Sequence, residues 1–232
     1  MPYAVHGASR GTRTVTARAR PADWPGAASW VPASPTMASI ETAAQGCRGC
    51  DLFRDATQAV VGRGPTAGLV LVGEQPGDRE DVEGEPFVGP AGRLLDEALT
   101  AAGIAPGAVF RTNAVKHFRH EERAGKRLHK SPARWQVAKC EPWLLAELDV
   151  VRPRGAVLLG ATAGQAAYGT GYRVTARRGA ELPWPRHWPQ GHGRFVVGTT
   201  HPAAVLRSRQ RAADFEALVA DLRLAARLLG PG

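Results

Sequence analysis

Residues 69–95, LVLVGEQPGDREDVEGEPFVGPAGRLL, constrain the fold more than any other stretch of the chain. The apolar run Leu69 to Val72 has glycine on both sides and no polar alternation, which is typical of a strand buried on both faces of a parallel sheet. Carboxylate and amide side chains come directly after it, and Pro90 then opens a helical pattern. The stretch therefore predicts a strand, a polar loop and a helix, with a ligand site at the carboxyl end of the strand.

Three more apolar runs repeat this alternation. We expect strands at residues 109–114, 155–160 and 195–199, with a helical pattern after each of them. The charged segment 118–130 lacks periodicity and is expected to be a loop, and residues 169–194, rich in Gly, Pro and Trp, an irregular excursion. Strands that alternate with helices predict a parallel sheet covered by helices on both faces.

The beginning of the chain has a different character. Residues 1–38 are rich in Pro, Ala and Arg and show neither helical nor strand periodicity, so we expect a basic, disordered extension. The folded domain is expected to span residues 39–232.

Charge and cysteine content narrow the class of protein. The formal net charge is +9 and the sequence pI is about 10.3, which suits a polyanionic partner such as nucleic acid, although a GC-rich genome also raises the arginine content. Three cysteines, an odd number, argue against a disulfide framework and for a reducing, cytoplasmic compartment. No apolar run reaches the roughly 18 residues of a membrane span. Composition indicates no oligomeric state, and a monomer is the default expectation.

Polar side chains come after three of the predicted strands. Glu74 and Gln75 come after the first, Asn113 ends the second, and His201 lies just past the last. Each of these residue types alone is common in caps and turns. Together with the lone aromatic Phe87, they predict a polar pocket for a small planar ligand. Asn113 offers a donor and an acceptor side by side, as is needed to recognise the edge of an extruded base.

The cysteines form a possible metal site. Cys47 and Cys50 are separated by two residues, which leaves both thiols on one side of a turn, and Cys140 can supply a third sulfur. A tetrahedral zinc site or a cubane cluster needs a fourth ligand, for which His117 is the best candidate. The alternative is a pair of buried cysteines and an unrelated thiol.

Several ordered motifs together resemble the uracil-DNA glycosylase superfamily in its iron–sulfur branch. They are CxxC, GEQPG, EPFVGPAGRLL, TNAVKH, LLGATA and THPAAVLR, and they span roughly residues 45–228. Within that branch, Gln75, His117 and the basic segment GKRLHK resemble the UdgX-type proteins. The resemblance implies a three-layer α/β/α fold with a four-stranded parallel central sheet.

The same resemblance implies a role for individual residues and a partner, uracil-containing DNA, including single strands. The ligands of a [4Fe-4S] cluster would be Cys47, Cys50, His117 and Cys140. The uracil pocket would use Phe87 for stacking, Asn113 for the base edge, His201 as a donor to uracil O2, and Gly73, Gln75, Asp78 and Asp81 around them. The DNA contacts would be Lys116, Lys126, Arg127 and Arg207.

The UdgX-type resemblance also implies a histidine that attacks the deoxyribose and stays bonded to it, here His129, with Glu74 to orient and activate it. This loop is shorter than the family run KRRIH. Three alternatives stay open: a phosphate-contacting loop with an incidental histidine, a turnover glycosylase in which Glu74 or Asp78 guides water, and a non-catalytic DNA-binding module with a structural zinc site.

Overall fold

The computed structural model describes residues 20–230, so the expectation of disorder for residues 1–19 lies outside the described part. In chain order, the helices and strands are α1 (Met37–Gln45), β1 (Leu69–Gly73), α2 (Asp78–Glu83), α3 (Pro90–Ala101), β2 (Val109–Asn113), β3 (His120–Arg123), β4 (Lys126–His129), α4 (Arg134–Val151), β5 (Gly155–Leu159), α5 (Ala161–Tyr168), α6 (Val174–Arg177), β6 (Glu181–Leu182), β7 (Phe195–Thr199), α7 (Pro202–Arg207) and α8 (Arg211–Leu229). Short 3-10 helices occupy Pro21–Asp23, Ala28–Trp30, Asp51–Arg54 and Pro106–Ala108.

The central sheet confirms the expected α/β architecture. It has five strands in the order β2-β1-β5-β7-β6, of which the first four are parallel. The fifth strand, β6, lies within the segment expected to be irregular and pairs with β7 in the antiparallel direction. Because the parallel strands all run the same way, their carboxyl ends meet at one edge of the sheet.

Helices cover the sheet on both faces, which explains why its strands show no polar alternation. Leu69, Leu71 and Val157 pack on one face in a core shared with α3 and α8. Val70 and Val72 point to the other face, where α4 and α5 pack. Burial on both sides makes every position of β1 apolar.

The segment expected to be a loop at residues 118–130 forms an antiparallel hairpin of β3 and β4, with His120 directly opposite His129. Its two-residue turn, Ala124 and Gly125, has φ values of +50° and +72°. Positive φ at both central turn residues matches the right-handed twist of a hairpin. The hairpin extends from the end of β2, beside the edge of the sheet where the polar residues lie.

Residues 20–31, named here the N-terminal strap, pack against the domain and correct the expected boundary at residue 39. Trp24 and Ala27 are buried. The amide of Gly26 donates to the Gly49 carbonyl at 2.9 Å, and the amide of Ala27 donates to the Lys139 carbonyl at 2.8 Å. Aromatic anchors and main-chain hydrogen bonds order the strap without any periodicity in its sequence.

No helix within residues 20–230 is long and apolar enough to cross a membrane.

Candidate active site and metal centre

A cleft of about 760 Å³ opens at the carboxyl edge of the sheet, a volume typical of small-molecule sites. It is lined by eight of the residues expected in the site: Glu74, Gln75, Asp78, Phe87, Asn113, His129, His201 and Arg207. The structure therefore brings together side chains from the ends of three parallel strands, from the loop before α3 and from the β3–β4 hairpin.

Phe87 and Asn113 meet above Gly73, the last residue of β1. A methyl group at Gly73 would lie 2.7 Å from Cζ of Phe87 and closer still to Oδ1 of Asn113. Phe87 has a φ of +62°, a strained backbone conformation that loops adopt where function requires it. Gly73 thus acts as the floor on which the ring and the amide approach each other.

His201 caps the N-terminus of α7, which begins with Pro202. Its Nδ1 accepts a hydrogen bond from the amide of Ala203 at 3.1 Å, so the neutral ring carries its proton on Nε2. Burial, reinforced by the nearby His129 and Arg207, lowers the pKa of His201 to about 4. The ring is therefore a neutral N–H donor at physiological pH, and it stacks at 6.5 Å from Phe87.

His129 and Glu74 form a pair at the mouth of the cleft. Nε2 of His129 lies 3.4 Å from Oε1 of Glu74, and the hydroxyl of Thr162 donates to the other carboxylate oxygen. The His129 side chain is 51% exposed and that of Glu74 only 19%. A histidine that is open to solvent and oriented by an anchored carboxylate is a competent nucleophile or base.

Thr162 is a residue that sequence reasoning missed. It lies in the first turn of α5, directly after β5, and so at the same edge of the sheet as Glu74. The available signal was its place in LLGATA, just past the carboxyl end of a predicted parallel strand.

Gln75 holds both ends of the hairpin. Its Nε2 donates to the carbonyls of Arg119 at 3.0 Å and Lys130 at 3.3 Å, and its Oε1 accepts from the Arg119 amide at 3.1 Å. These three bonds occupy the polar atoms of the Gln75 side chain. The structure thus places this residue as a support of the segment that carries His129.

Arg127, Asp78 and Asp81 hold the outer part of the hairpin against α2. The guanidinium of Arg127 lies 2.6 Å from Asp78 Oδ1 and 2.6 Å from Asp81 Oδ2. Asp81 is fully buried and also accepts from the amide of Thr57 at 3.0 Å. Against expectation, Asp81 does not line the cleft and Arg127 is held by carboxylates, whereas Lys126 is exposed at the hairpin tip.

Lys116 was expected to contact DNA, and the structure corrects this. Its side chain is fully buried, and its Nζ lies 2.7 Å from Oε2 of Glu147, which is also fully buried. A buried ammonium group needs such a partner, because an unpaired charge in the interior is costly.

The three cysteines and His117 line one small cavity beside the N-terminal strap, together with Ala27. The indole N–H of Trp143 points at Sγ of Cys47, and the amide of Lys116 points at Sγ of Cys140, each at 3.3 Å. Amide and indole donors aimed at sulfur are a feature of sites that hold thiolates, since such bonds stabilise negative charge on sulfur.

Burial raises the pKa of Cys50 to about 11 and that of Cys140 to about 12, and it lowers the pKa of His117 to about 4. Two of the thiols are therefore protonated at neutral pH unless a cation is bound against them. No group of three or more His, Cys, Asp or Glu side chains in the described residues is arranged to hold a single metal ion. The donor set of three sulfurs and one imidazole nevertheless suits a cluster, whose corners spread the ligands farther apart than one ion does.

Comparison with known proteins places this geometry in a family. The model of the uracil DNA glycosylase superfamily matches residues 61–223. The chain is 35% identical over 174 residues to a type-4 uracil-DNA glycosylase of Archaeoglobus fulgidus, which covers 73% of this chain and 83% of the relative. It is 36% identical over 165 residues to a type-4 uracil-DNA glycosylase of Thermotoga maritima, and the match covers 70% of this chain and 79% of the relative. It is 35% identical over 179 residues to a type-4 uracil-DNA glycosylase of Pyrobaculum aerophilum, and the match covers 73% of this chain and 84% of the relative.

Proposed function

The chain belongs to the uracil-DNA glycosylase superfamily, and we propose that it excises uracil from DNA and then becomes bonded to the abasic sugar through His129. The convergence of Phe87, Asn113 and His201 on one cleft carries the first part of this proposal. The contact between His129 and Glu74 carries the second.

Base excision uses the inner part of the cleft. The flipped uracil stacks on Phe87, and the amide of Asn113 pairs with the edge of the base. As the bond between C1′ and N1 breaks, its electron pair moves into uracil, and negative charge develops at O2. The neutral His201 donates its Nε2–H there. A donor placed where charge appears only in the transition state lowers the barrier, typically by about 3 to 4 kcal/mol.

The covalent step uses the mouth of the cleft. Departure of uracil leaves positive charge at C1′, which a neutral imidazole can attack. Glu74 orients the ring of His129 and stabilises the imidazolium that the new C–N bond produces. The hydroxyl of Thr162 anchors Glu74 for this task. The hairpin, held by Gln75 and Arg127, presents His129 to the sugar without a large entropic cost.

The cysteine cavity is proposed to hold a [4Fe-4S] cluster through Cys47, Cys50, His117 and Cys140. A cluster held there would supply a structural cross-link between the segment after α1, the segment after β2 and α4. Its support is the buried S₃N donor set with two N–H groups aimed at sulfur.

The proposed substrate is uracil-containing DNA, including single strands, bound by a monomer. The net charge of +9 favours a polyanion. Lys126 at the exposed hairpin tip and Arg207 at the cleft are the proposed phosphate contacts. A single strand suits this cleft because its bases enter without the cost of opening a duplex.

The test is incubation with uracil-containing single-stranded DNA, with a denaturing gel and measurement of released uracil as the two readings. We expect a slowly migrating adduct that survives denaturation, and its loss in His129→Ser. A matched control is His187→Ser, because His187 also lies against a carboxylate, at 3.3 Å from Glu141, but outside the cleft.

Each outcome separates the alternatives. Release of many uracils per protein without an adduct would overturn the covalent step and leave a turnover glycosylase. If the protein released no uracil, contained zinc, and bound undamaged DNA as tightly as uracil-containing DNA, the enzymatic function would be overturned and a DNA-binding module would remain. Brown colour with visible absorbance would support iron–sulfur against zinc.

A further inference from the structure

Lys116 and Glu147 form a buried ion pair directly below the residue proposed to recognise uracil. Both side chains are fully buried, and Nζ of Lys116 lies 2.7 Å from Oε2 of Glu147. The same carboxylate oxygen accepts a hydrogen bond from the Thr112 hydroxyl at 2.5 Å, and its partner oxygen accepts from the Gly62 amide at 2.8 Å. The network lies under the end of β2, away from solvent.

Two further hydrogen bonds of Lys116 link this network to the cleft. Its Nζ donates to the main-chain carbonyl of Asn113 at 2.8 Å and to the Thr112 hydroxyl at 2.7 Å. Lys116 thus directs its donors to Glu147 and to two consecutive residues at the end of β2. The main chain after Asn113 is also held by the end of β1 and the residue that follows it, because the amides of Ala114 and Val115 donate to the carbonyls of Gly73 and Glu74 at 3.0 Å each.

We propose that Lys116 is a positioning residue for uracil recognition, because its ammonium group holds the Asn113 peptide in the orientation that turns the Asn113 amide toward the base. An amide side chain discriminates uracil only if its donor and acceptor face the matching groups of the base, so a small rotation of the peptide would lose both bonds. This inference rests on the proposed excision of uracil and is independent of the covalent step.

Stability alone does not account for an ion pair at this site. Replacing a buried pair by neutral residues of similar size often leaves stability unchanged or higher, whereas removal of one partner leaves a buried charge unpaired. The position of the ammonium against the Asn113 carbonyl offers a different reason for the pair. The two roles can be separated by experiment, because removing both charges relieves the electrostatic cost but does not restore the bond to Asn113.

The experiment compares Lys116→Met, Glu147→Gln and the double variant. We measure the Tm of each protein and its Kd for free uracil, with the Kd for abasic-site DNA as a second reading. Lys116→Met is expected to lower the Tm, and the double variant to recover most of that loss. The double variant should still bind uracil about tenfold more weakly, the effect of losing one or two hydrogen bonds, while its affinity for abasic-site DNA is unchanged.

Two further variants sharpen the test. In an Asn113→Ala background, Lys116→Met/Glu147→Gln should weaken uracil binding no further, because Lys116 acts through Asn113. The matched control is Arg111→Met/Asp96→Asn, because Arg111 lies on β2 like Asn113 and forms an ion pair with Asp96 at 2.5 Å. The uracil affinity of this control variant should equal that of the wild type.

Recovery of both the Tm and the uracil affinity in the double variant would overturn the inference and leave a purely structural ion pair. The inference would also be overturned if the double substitution weakened uracil binding by the same factor with Asn113→Ala as with Asn113 present. Failure of the wild-type protein to release uracil from DNA would instead overturn the proposed function itself.

Discussion

Nε2 of His129, on β4, lies 3.4 Å from Oε1 of Glu74, the residue directly after β1. His129 belongs to the two-stranded hairpin, whereas Glu74 follows a strand of the central sheet, and the contacts of Gln75 and Arg127 with the hairpin bring them together. His129 is exposed enough to reach a bound substrate, and the Glu74 carboxylate that it contacts is anchored by the hydroxyl of Thr162.

Glu74→Gln should slow formation of the proposed covalent adduct by about 100-fold or more, because a neutral amide cannot stabilise an imidazolium at His129. Uracil release depends on other groups and should fall much less. Single-turnover gels and uracil measurement on one sample give both rates. Glu121→Gln is the control, since Glu121 pairs with Lys130 at 2.9 Å on the same hairpin. Equal slowing in both variants would contradict the assigned role.

Gly73→Ala should abolish base excision while the protein stays folded. The added methyl group would lie 2.7 Å from Cζ of Phe87 and closer to Asn113, so the ring and the amide must separate. Excision of uracil from DNA and the Tm are the two measurements. Gly107→Ala is the control because nothing lies within 4 Å of the methyl group there. An active Gly73→Ala protein would show that this close approach is not required.

Uracil release should stay constant as the pH falls through 6.5 and should decline only toward pH 4, since burial lowers the pKa of His201 from 6.5 to about 4. On protonation the ring can no longer accept from the Ala203 amide. Stability changes in the same direction, because unfolded His201 takes up a proton below pH 6.5 while folded His201 does not. Stability conferred by the neutral ring is thus lost between pH 6.5 and 4.

The pH profile of uracil release, separated from adduct formation, checks this prediction. The Tm of His201→Gln should depend less on pH than that of the wild type in the same window. A decline of wild-type uracil release centred near pH 6.5 would contradict a His201 that stays neutral down to about pH 4.

Gly49→Ala should reduce retention of the cluster proposed for the cysteine cavity. A methyl group at Gly49 would lie 2.6 Å from the carbonyl carbon of Gly26, a backbone atom of the N-terminal strap, so the strap must move away. Ala27 of the strap lines the cysteine cavity, and its displacement exposes that cavity to water. Iron and zinc analysis and the decay of visible absorbance in air measure the effect.

Gly46→Ala is the matched control, since a methyl group there meets only the Ala43 carbonyl at 3.5 Å. Equal metal retention in both variants would show that the strap does not protect the site.

The four parallel strands of the central sheet were predictable from the sequence because burial on both faces favours apolar residues along most of each strand, whereas the short antiparallel strand β6 was not. The run Phe195–Thr199 and the helix Ala161–Tyr168 occur at the expected residues. The cleft residues Glu74, Asn113 and His201 could also be anticipated, because parallel strands end at one edge of the sheet and the residues at their carboxyl ends line the crevice there.

The β3–β4 hairpin could not be predicted in this way. Its strands are charged and mostly exposed, and its turn is Ala-Gly rather than Asn-Gly, so the local signal is weak. Contacts from Gln75 and from Asp78 and Asp81 hold it in place, and these residues are distant in sequence. The order of the N-terminal strap was not predictable for a similar reason, since Trp24 packs against Phe53 and Ala27 lines the cysteine cavity, both through residues that are distant in sequence.

By itself, the sequence determined the α/β order, the edge of the sheet where chemistry can occur, and the residue types available there. The tertiary structure alone decided which of these residues face the cleft. A lysine such as Lys116 could contact DNA from the surface, but in the structure it is buried in an ion pair with Glu147. A carboxylate such as Asp81 could line the cleft, but in the structure it binds Arg127. The reason is that residue type fixes charge and hydrogen-bonding capacity, whereas the partner that satisfies them comes from elsewhere in the chain.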